Sequence, residues 1–289
     1  MQILPCFVFI VCAVGTDVAA LPEKIRFGTY VLYDKNFRDR CKTDIGEYVQ
    51  LLLNTMNARL QEEVKETQIR LLLVGVNQIS NDAKIERFAA YGRVSLSQTS
   101  EALSLYLSKQ KGGLEQADIV LYITGKFAQP VEDDRQYYRS YGPGATICTP
   151  EKGLVASIYN ADFSIVPSLM YSVLRLLGRC HRSGIAGNLK SKKENCFNRS
   201  LEALYKNVTK LPGEGLDGTM YCSTFADGSD DFSLCEKLRD GCTFSCCWRM
   251  YRRERRITPA PDGYACGTTG KEMCFNEACV PRNETQRNS

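Results

Sequence analysis

The sequence is poor in the residues that hold catalytic metals and in long apolar runs. Its 289 residues contain one histidine, His181, and one tryptophan, Trp248. Catalytic zinc is held by three protein ligands, so a single imidazole excludes a site built from histidines. No stretch after residue 20 approaches the ~18 consecutive apolar residues of a membrane-spanning helix, and there is no Arg-Gly-Asp tripeptide. The formal net charge of +4 gives no reason to expect a nucleic-acid partner.

Residues 1–20 are predicted to be a secretory signal peptide. The apolar run 3–15 is too short to cross a bilayer, and small residues at 18–20 provide a cleavage site before Leu21. The alternative, a buried strand, is disfavoured by the N-terminal position. We therefore expect a secreted, extracellular protein without a membrane span. Three triplets fit the N-glycosylation acceptor pattern, at Asn198, Asn207 and Asn283.

Cysteine usage agrees with export. Of 14 cysteines, Cys6 and Cys12 belong to the signal peptide, and an even number remaining in an exported chain indicates disulfides. Their density after Cys222 predicts a small module held together by bridges instead of a large core. Metal binding by these cysteines is the rival interpretation, which an oxidising compartment disfavours. The predicted disulfide cysteines are Cys41, Cys148, Cys180, Cys196, Cys222, Cys235, Cys242, Cys246, Cys247, Cys266, Cys274 and Cys279.

Alternating strand and helix patterns predict a three-layer α/β domain. Asp44 followed by Glu47 suggests a capping box at the start of a long helix. The composition changes at Leu211 to cysteine, glycine and charge, so we divide the chain into domains at 21–210 and 211–289. The predicted strands are 25–32, 69–76 (covered on both faces), 118–124 and 154–159 (at a sheet edge). The predicted helices are 45–60, 99–109, 165–178 and 200–208.

One segment has the spacing of a zinc-protease motif without its ligands. Residues 171–181 align with H-E-x-x-H-x-x-G-x-x-H, the zinc signature of the metzincins, and only Gly178 and His181 match it. Tyr171 and Arg175 occupy the first two ligand positions, and Ser172 occupies the general-base position. Residues four apart share a helix face, which is why the motif places two imidazoles on one metal.

Several other segments resemble the reprolysin (adamalysin) branch of the metzincins, which includes the ADAMTS proteins and tick salivary metalloproteases. In the first domain these are Tyr48–Asn54, Ile69–Val76, Ala117–Gly125 and Gly153–Ile158. The last of them resembles the edge strand that pairs with substrate. The C-terminal part is similar to the ADAMTS cysteine-rich, disintegrin-like module. Its matching residues are Leu211–Asp217, Cys222, Cys235, Cys242, Pro261–Cys266, Cys274 and Cys279. The adjacent pair Cys246-Cys247 departs from the family, which separates two cysteines by a longer stretch.

The resemblance implies a zinc peptidase, yet the residues present oppose that chemistry. Arg175 has no lone pair to donate, and Tyr171 is a poor ligand at neutral pH. Ser172 is far too weak a base to replace glutamate. The methionine turn of the family has no counterpart between His181 and 196–204, the resembling helix. We therefore expect zinc, the family's cofactor, to be absent. His181 is interpreted as a remnant, and Cys180 as a structural cysteine.

A basic and aromatic run in the C-terminal part is the predicted binding patch. Arginines beside large aromatics are typical of interaction surfaces, and clustered arginines suit acidic proteins or sulfated glycans. Pro259 and Pro261 are expected to keep this run in an extended loop. The alternative is a solvated charged loop with Trp248 buried. The patch comprises Trp248, Arg249, Arg252, Arg253, Arg255 and Arg256.

The sequence therefore predicts a secreted, catalytically inactive metalloprotease homologue. It would bind extracellular host or matrix proteins through a vestigial groove below the edge strand 154–159, with the C-terminal module as an exosite. Two alternatives stay open. One is an active secreted zinc metalloendopeptidase of the reprolysin family. The other is a glycan-binding or adhesion protein in which only the C-terminal module matters.

Overall fold

A computed structural model describes most of the chain after the predicted signal peptide. The segments that it describes are 21–41, 43–65, 67–79, 85–110, 112–129, 131–133, 136–159, 163–179, 184–192, 210–223, 232–237, 241–248 and 255–282. Several predictions lie outside the described residues. They are the signal peptide 1–20, the helix 200–208, the residues Cys180, His181 and Cys196, and the acceptors Asn198, Asn207 and Asn283.

The described residues form seven helices and fifteen strands. The helices are α1 Lys35–Arg40, α2 Ile45–Glu63, α3 Leu96–Leu107, α4 Gly113–Gln116, α5 Val166–Leu177, α6 Gly184–Lys190 and α7 Gly218–Ser223, with short 3-10 turns at Ala90–Gly92 and Phe163–Ile165. The strands are β1 Lys24–Tyr33, β2 Gln68–Gln78, β3 Val94–Ser95, β4 Ile119–Thr124, β5 Ala128–Gln129, β6 Val131–Asp133, β7 Gln136–Tyr138, β8 Ser140–Tyr141, β9 Gly153–Ser157, β10 Phe232–Lys237, β11 Thr243–Trp248, β12 Arg255–Pro259, β13 Ala265–Cys266, β14 Glu272–Phe275 and β15 Ala278–Pro281.

A five-stranded sheet in the order β2-β1-β4-β9-β8 organises the first region. The first four strands are parallel, and β8 runs antiparallel to β9. Side chains alternate between the faces of a strand. Accordingly Leu121 and Ile123 pack with α2 and α5, whereas Val120 and Tyr122 pack with α3 on the opposite face. Helices thus cover both faces of a mixed sheet, which confirms the predicted α/β class.

Local signals place the main elements where the sequence predicted them. The Asp44 carboxylate accepts a hydrogen bond from the Glu47 amide at 2.9 Å, and α2 begins between them. All six residues of β4 are buried because both faces of the sheet are covered. The strand predictions 25–32, 69–76 and 118–124 and the helix predictions 45–60, 99–109 and 165–178 correspond to described elements with shifts of a few residues at their ends.

The two edges of the sheet differ from the prediction. Strand β9 was expected at an edge, but it lies between β4 and β8. Strand β2 was expected to be covered on both faces, yet it is an edge strand whose residues alternate between buried and half-buried. At its outer side, the Leu71 amide donates to Asn57 Oδ1 at 2.7 Å, and Asn57 Nδ2 donates to the Leu71 carbonyl at 3.0 Å. A side chain from α2 therefore saturates the β2 backbone at this point.

The C-terminal region is rich in disulfides, as predicted. It contains two three-stranded antiparallel sheets, β10-β11-β12 and β13-β14-β15. The ring of Phe244 lies edge-on to Tyr221 and Tyr264 in a small core. Adjacent Cys246 and Cys247 both form disulfides, with different partners. Both cysteines are therefore bridged although their spacing differs from that of the resembling family. The four bridges are Cys222–Cys246, Cys235–Cys247, Cys242–Cys274 and Cys266–Cys279.

The prediction that every remaining cysteine is bridged is wrong for one residue. Cys41 is a free thiol, whose sulfur lies 3.6 Å from both the carbonyl and the hydroxyl oxygen of Thr43. Cys148 is disulfide-bonded. The sulfur of Cys41 therefore contacts oxygen atoms of Thr43 and forms no disulfide.

Among the helices in the described part of the chain, none has both the length and the apolar character needed to cross a bilayer.

Candidate functional site

The helix α5 carries the degenerate zinc motif. It has Pro167 in its first turn, where the missing amide donor costs no hydrogen bond, and it ends at Gly178. Gly178 adopts φ +103, a left-handed conformation that glycine tolerates best. The carbonyl of Leu177 accepts a hydrogen bond from Asn188 Nδ2 at 2.9 Å, which ties this end of α5 to α6. The predicted helix and its glycine stop are both confirmed.

Ser172, at the general-base position, faces the protein interior. Its side chain is 1% exposed, and its hydroxyl lies 2.8 Å from the hydroxyl of Ser140 on β8. The Ser140 hydroxyl lies 2.8 Å from the hydroxyl of Ser168, one helical turn before Ser172. This buried row of three hydroxyls joins α5 to β8. The Ser172 hydroxyl is engaged with that of Ser140, and an alcohol is a very weak base, so Ser172 does not serve as a proton shuttle.

Arg175, at the second ligand position, packs against the neighbouring strand. Its guanidinium carbon lies 5.3 Å from the ring centroid of Tyr141, within the range of a cation–π contact. The Arg175 carbonyl accepts a hydrogen bond from the Ala145 amide at 3.0 Å. Tyr171, at the first ligand position, is half-buried. The helix face therefore presents a permanent positive charge and a phenol where the family motif would present two imidazoles.

These residues do not fit a zinc ion. Arginine offers no lone pair, and its charge repels a divalent cation by several kcal/mol at contact distance. Only one set of three side chains with metal-ligating atoms lies close together in the described part of the chain, namely Cys242, Cys266 and Cys279. All three belong to disulfides and cannot act as thiolates.

The edge of the sheet beside α5 is β8, not the predicted segment 154–159. Among the described strands, β8 pairs only with β9, through Ser140↔Ala156 and Tyr141↔Val155. The chain leaves β8 at Gly142, where any side chain would overlap Leu154. The segment 154–159 is thus separated from the margin of the sheet by β8, which is the outermost of the described strands on this side.

An open groove of about 560 Å³ lies on the other side of β8, between α3 and the chain that follows β8. It was not predicted from the sequence. Its only sequence signal is the spacing of three serines, two on α3 and one at its C-cap, which are four residues apart and so lie on one helix face. The lining residues are Ser100, Glu101, Ser104, Leu105, Ser108, Tyr141, Pro143, Pro150 and Glu151.

The structure describes only three residues of the predicted basic patch, namely Trp248, Arg255 and Arg256. Trp248 ends β11, where it pairs with Phe232, and Arg255 and Arg256 begin β12, where they pair with Cys247 and Cys246. These residues therefore belong to strands, not to the extended loop expected from Pro259, which itself ends β12 opposite Thr243. The remaining members, Arg249, Arg252 and Arg253, lie outside the described residues.

Comparison with known proteins gives little guidance. No family model matches the chain, and no curated protein matches it. Among solved structures, one chain of a chaperone–substrate complex is similar, with a TM-score of 0.38 and 11% identity over 54% of this chain and 24% of that chain. Metalloproteinase-II from Bacteroides fragilis is also similar, with a TM-score of 0.33 and 12% identity over 55% of this chain and 44% of that chain. Both likenesses are too weak to define a family or a function.

Proposed function

We propose that this protein is a secreted metalloprotease homologue without peptidase activity, which binds extracellular proteins. The observation that carries the proposal is the occupancy of the motif positions on α5. Arg175 packs its guanidinium on Tyr141, and Ser172 is buried against Ser140. The motif spacing and the glycine stop of a metzincin helix are retained, whereas the groups that perform the chemistry are replaced.

Binding is proposed at the predicted groove beside α5, where β8 is the outermost described strand of the five-stranded sheet. Extended peptides pair with strands through main-chain hydrogen bonds, and pairing with β8 would require the backbone around Ser140, which is 2% exposed, to become accessible. Because Tyr171 and Arg175 replace two zinc ligands of the motif and Ser172 replaces its general base, a chain bound there would be held and not cut. The C-terminal run from Trp248 to Arg256 would supply a second contact, either to an acidic protein surface or to a sulfated glycan.

Secretion is part of the same proposal. Four disulfides in the C-terminal region suit an oxidising compartment, where such bridges form and persist. The predicted signal peptide and the glycosylation acceptors Asn198, Asn207 and Asn283 agree with that route.

The test is metal analysis of the purified secreted protein by mass spectrometry, paired with gelatin zymography in the presence and absence of chelator. We expect no stoichiometric zinc and no chelator-sensitive cleavage, with an authentic zinc peptidase as positive control. Bound zinc together with chelator-sensitive cleavage would reject the proposal and favour the alternative, an active zinc metalloendopeptidase.

The glycan alternative is tested on heparin. Replacement of the five arginines from Arg249 to Arg256 by serine should lower the salt concentration for elution, because each lost cation removes a contact to sulfate. If the full chain binds host protein normally after these replacements, the C-terminal patch is not the main binding surface.

A further inference from the structure

We propose that this protein docks an acidic segment of a partner protein, anchored by one aromatic side chain, on the carboxyl rim of its five-stranded sheet. The carboxyl rim is the surface beyond the ends of β1, β4 and β9 that is formed by Arg40, Arg87, Arg93, Phe127 and Tyr159. The inference rests on the proposed binding function, because it names the surface that binds and the kind of partner. The contact is made by side chains and needs no free strand edge.

The strand order makes this end of the sheet a place for a ligand. The chain leaves β1 for β2 on one side and later enters β4 on the other side of β1, with α2 and α3 on opposite faces. In open α/β sheets, ligands bind outside the carboxyl ends of strands that part in this way. Here the crevice itself is filled, because the Asp34 carboxylate accepts hydrogen bonds from the Gly125 amide at 3.0 Å and the Thr124 hydroxyl at 2.7 Å. A ligand at this end therefore contacts the outer surface of the rim.

A stack of planar groups gives the carboxyl rim an exposed aromatic face. The rings of Phe127 and Tyr159 are stacked, with centroids 3.9 Å apart and planes inclined by 18°. The guanidinium carbon of Arg40 lies 3.6 Å from the Tyr159 centroid. Two groups so close to one ring cannot share a face, so Tyr159 lies between Arg40 and Phe127. Phe127, which is 60% exposed, therefore turns its outer face to solvent.

The exposed ring is carried by a fixed backbone. The Phe127 carbonyl accepts a hydrogen bond from the Val94 amide at 2.9 Å, and the Lys126 carbonyl accepts one from the Ser157 hydroxyl at 2.7 Å. The Lys126 ammonium is paired with the buried carboxylate of Glu86. A partner ring stacked on Phe127 thus meets a surface that loses little conformational entropy on binding. An aromatic pair strengthens binding by about two- to twelvefold beyond the burial of its area.

The charges of the carboxyl rim indicate an acidic partner. The register of β3 and β5 places Arg93 beside Phe127, and both Arg87 and Arg93 are exposed. The described segments at this end of the sheet are 35–40, 85–95, 125–129 and 157–159. Within them, Asp39 is the only exposed carboxylate. Such an excess of positive charge attracts acidic chains and repels basic ones, and arginine beside aromatic rings is typical of protein-binding hot spots.

The experiment measures fluorescence anisotropy of short labelled peptides made of glutamate and serine around one central residue. That residue is phenylalanine or leucine, and a third peptide keeps phenylalanine but has glutamine in place of every glutamate. We expect the acidic phenylalanine peptide to bind about fivefold more tightly than the leucine peptide and about tenfold more tightly than the glutamine peptide. Added salt should reduce the second ratio and leave the first nearly unchanged, because only the charge contacts are screened.

Matched variants separate the ring from the charge. Phe127→Ala should abolish the preference for phenylalanine over leucine, whereas Phe88→Ala should keep it. Phe88 is comparably exposed, at 53%, and its pairing with Val94 places it on the opposite face of the small β3–β5 sheet. Arg93→Gln should lower the preference for glutamate over glutamine, whereas Lys109→Gln, which replaces an exposed cation after α3, should not. Thermal unfolding checks that all four variants are folded.

Several outcomes would overturn the inference. They are equal binding of the phenylalanine and leucine peptides, an equal loss of preference in Phe127→Ala and Phe88→Ala, and no peptide binding. Binding to vesicles of phosphatidylserine and phosphatidylcholine that is lost in Phe127→Ala, without peptide binding, would make the rim a lipid surface and overturn it as well. These outcomes concern the carboxyl rim alone, and the proposed function is decided separately by zinc content and chelator-sensitive cleavage.

Discussion

Arg59 on α2 forms a bidentate ion pair with Asp262, which lies between β12 and β13. Arg59 Nε lies 2.8 Å from one carboxylate oxygen of Asp262, and Nη2 lies 3.0 Å from the other. The Arg59 side chain is 13% exposed and that of Asp262 is 1% exposed. Beside this pair, Ala58 packs against Leu211 and against Met273 and Phe275 of β14. The disulfide-rich region is therefore fastened to a long helix of the α/β region by a buried charge pair and a small apolar contact.

Loss of this arginine should destabilise the protein strongly. Arg59→Met removes the cation and leaves a buried carboxylate whose remaining described partner is the Asn276 amide at 2.9 Å. Breaking a buried pair from one side costs about 3–5 kcal/mol, because the other charge stays desolvated. Urea unfolding with the disulfides intact should show this loss.

The control for this change is Arg179→Gln, which breaks the Arg179–Glu63 pair at 3.4 Å, whose side chains are 52% and 48% exposed. Exposed pairs contribute about 0–1 kcal/mol. Equal effects of the two substitutions would contradict the assignment of the Arg59–Asp262 pair as the principal fastening.

Two substitutions should create a zinc site on α5. Tyr171→His with Arg175→His places two imidazoles one helical turn apart, with His181 as the third ligand of the motif. We expect stoichiometric zinc by mass spectrometry and a rise in Tm on addition of zinc, because a ligand of the folded state stabilises it. The single variant Tyr171→His, which keeps the Arg175 charge, should take up none. A folded double variant that binds no zinc would count against the metzincin resemblance.

Replacement of one exposed tyrosine should stabilise the protein. Tyr91 is 98% exposed and adopts φ 60 and ψ 26, followed by Gly92 at φ 67, at the tip of a tight hairpin closed by the Ala89 amide and the Arg93 carbonyl. Such turns favour Asn-Gly. Tyr91→Asn should therefore raise the unfolding free energy by about 0.5–1 kcal/mol and Tm by about 2 °C. Tyr91→Val, with a β-branched side chain, should lower both, and a stabilising valine would refute this account.

The free thiol should react slowly. Burial raises the pKa of the Cys41 thiol, and this effect is only partly opposed by its hydrogen bonds with the hydroxyl and the backbone of Thr43. A raised pKa means less thiolate at a given pH, and the thiolate is the reacting form. Alkylation of the Cys41 peptide, followed by mass spectrometry, should be slower than in the denatured protein with intact disulfides, and its rise with pH should be shifted upward. A rate equal to that of the denatured chain would show that the site is open.

Local signals allowed much of the α/β region to be predicted. The Asp44 cap, the fully apolar β4 and the glycine after α5 depend on residues close in sequence, and each is found where expected. The order of strands was not accessible in this way. An apolar run indicates that a strand is buried, but not which strands lie beside it. The sequence therefore placed β9 at an edge, whereas it lies between β4 and β8, and did not predict that β2 is an edge strand.

Contacts between distant residues explain the remaining omissions. Arg59 and Asp262 are 203 residues apart in the sequence, and no residue near either of them predicts that they pair. The groove beside β8 likewise forms only when Tyr141 and Glu151 are brought to the serine face of α3. The degenerate motif could be recognised from the sequence, because it is defined by residue types at fixed spacing. The structure adds that Ser172 is buried and that Arg175 packs on Tyr141.

The carboxamide of Asn57, bonded to both backbone groups of Leu71, makes the two margins of the sheet unequal. Where that amide stands, a second molecule cannot continue the ladder past β2, because the donor and acceptor it would need are already taken. Growth into stacked copies of the sheet is thereby interrupted at this point of β2. The molecule is protected there from becoming a template for its own polymerisation.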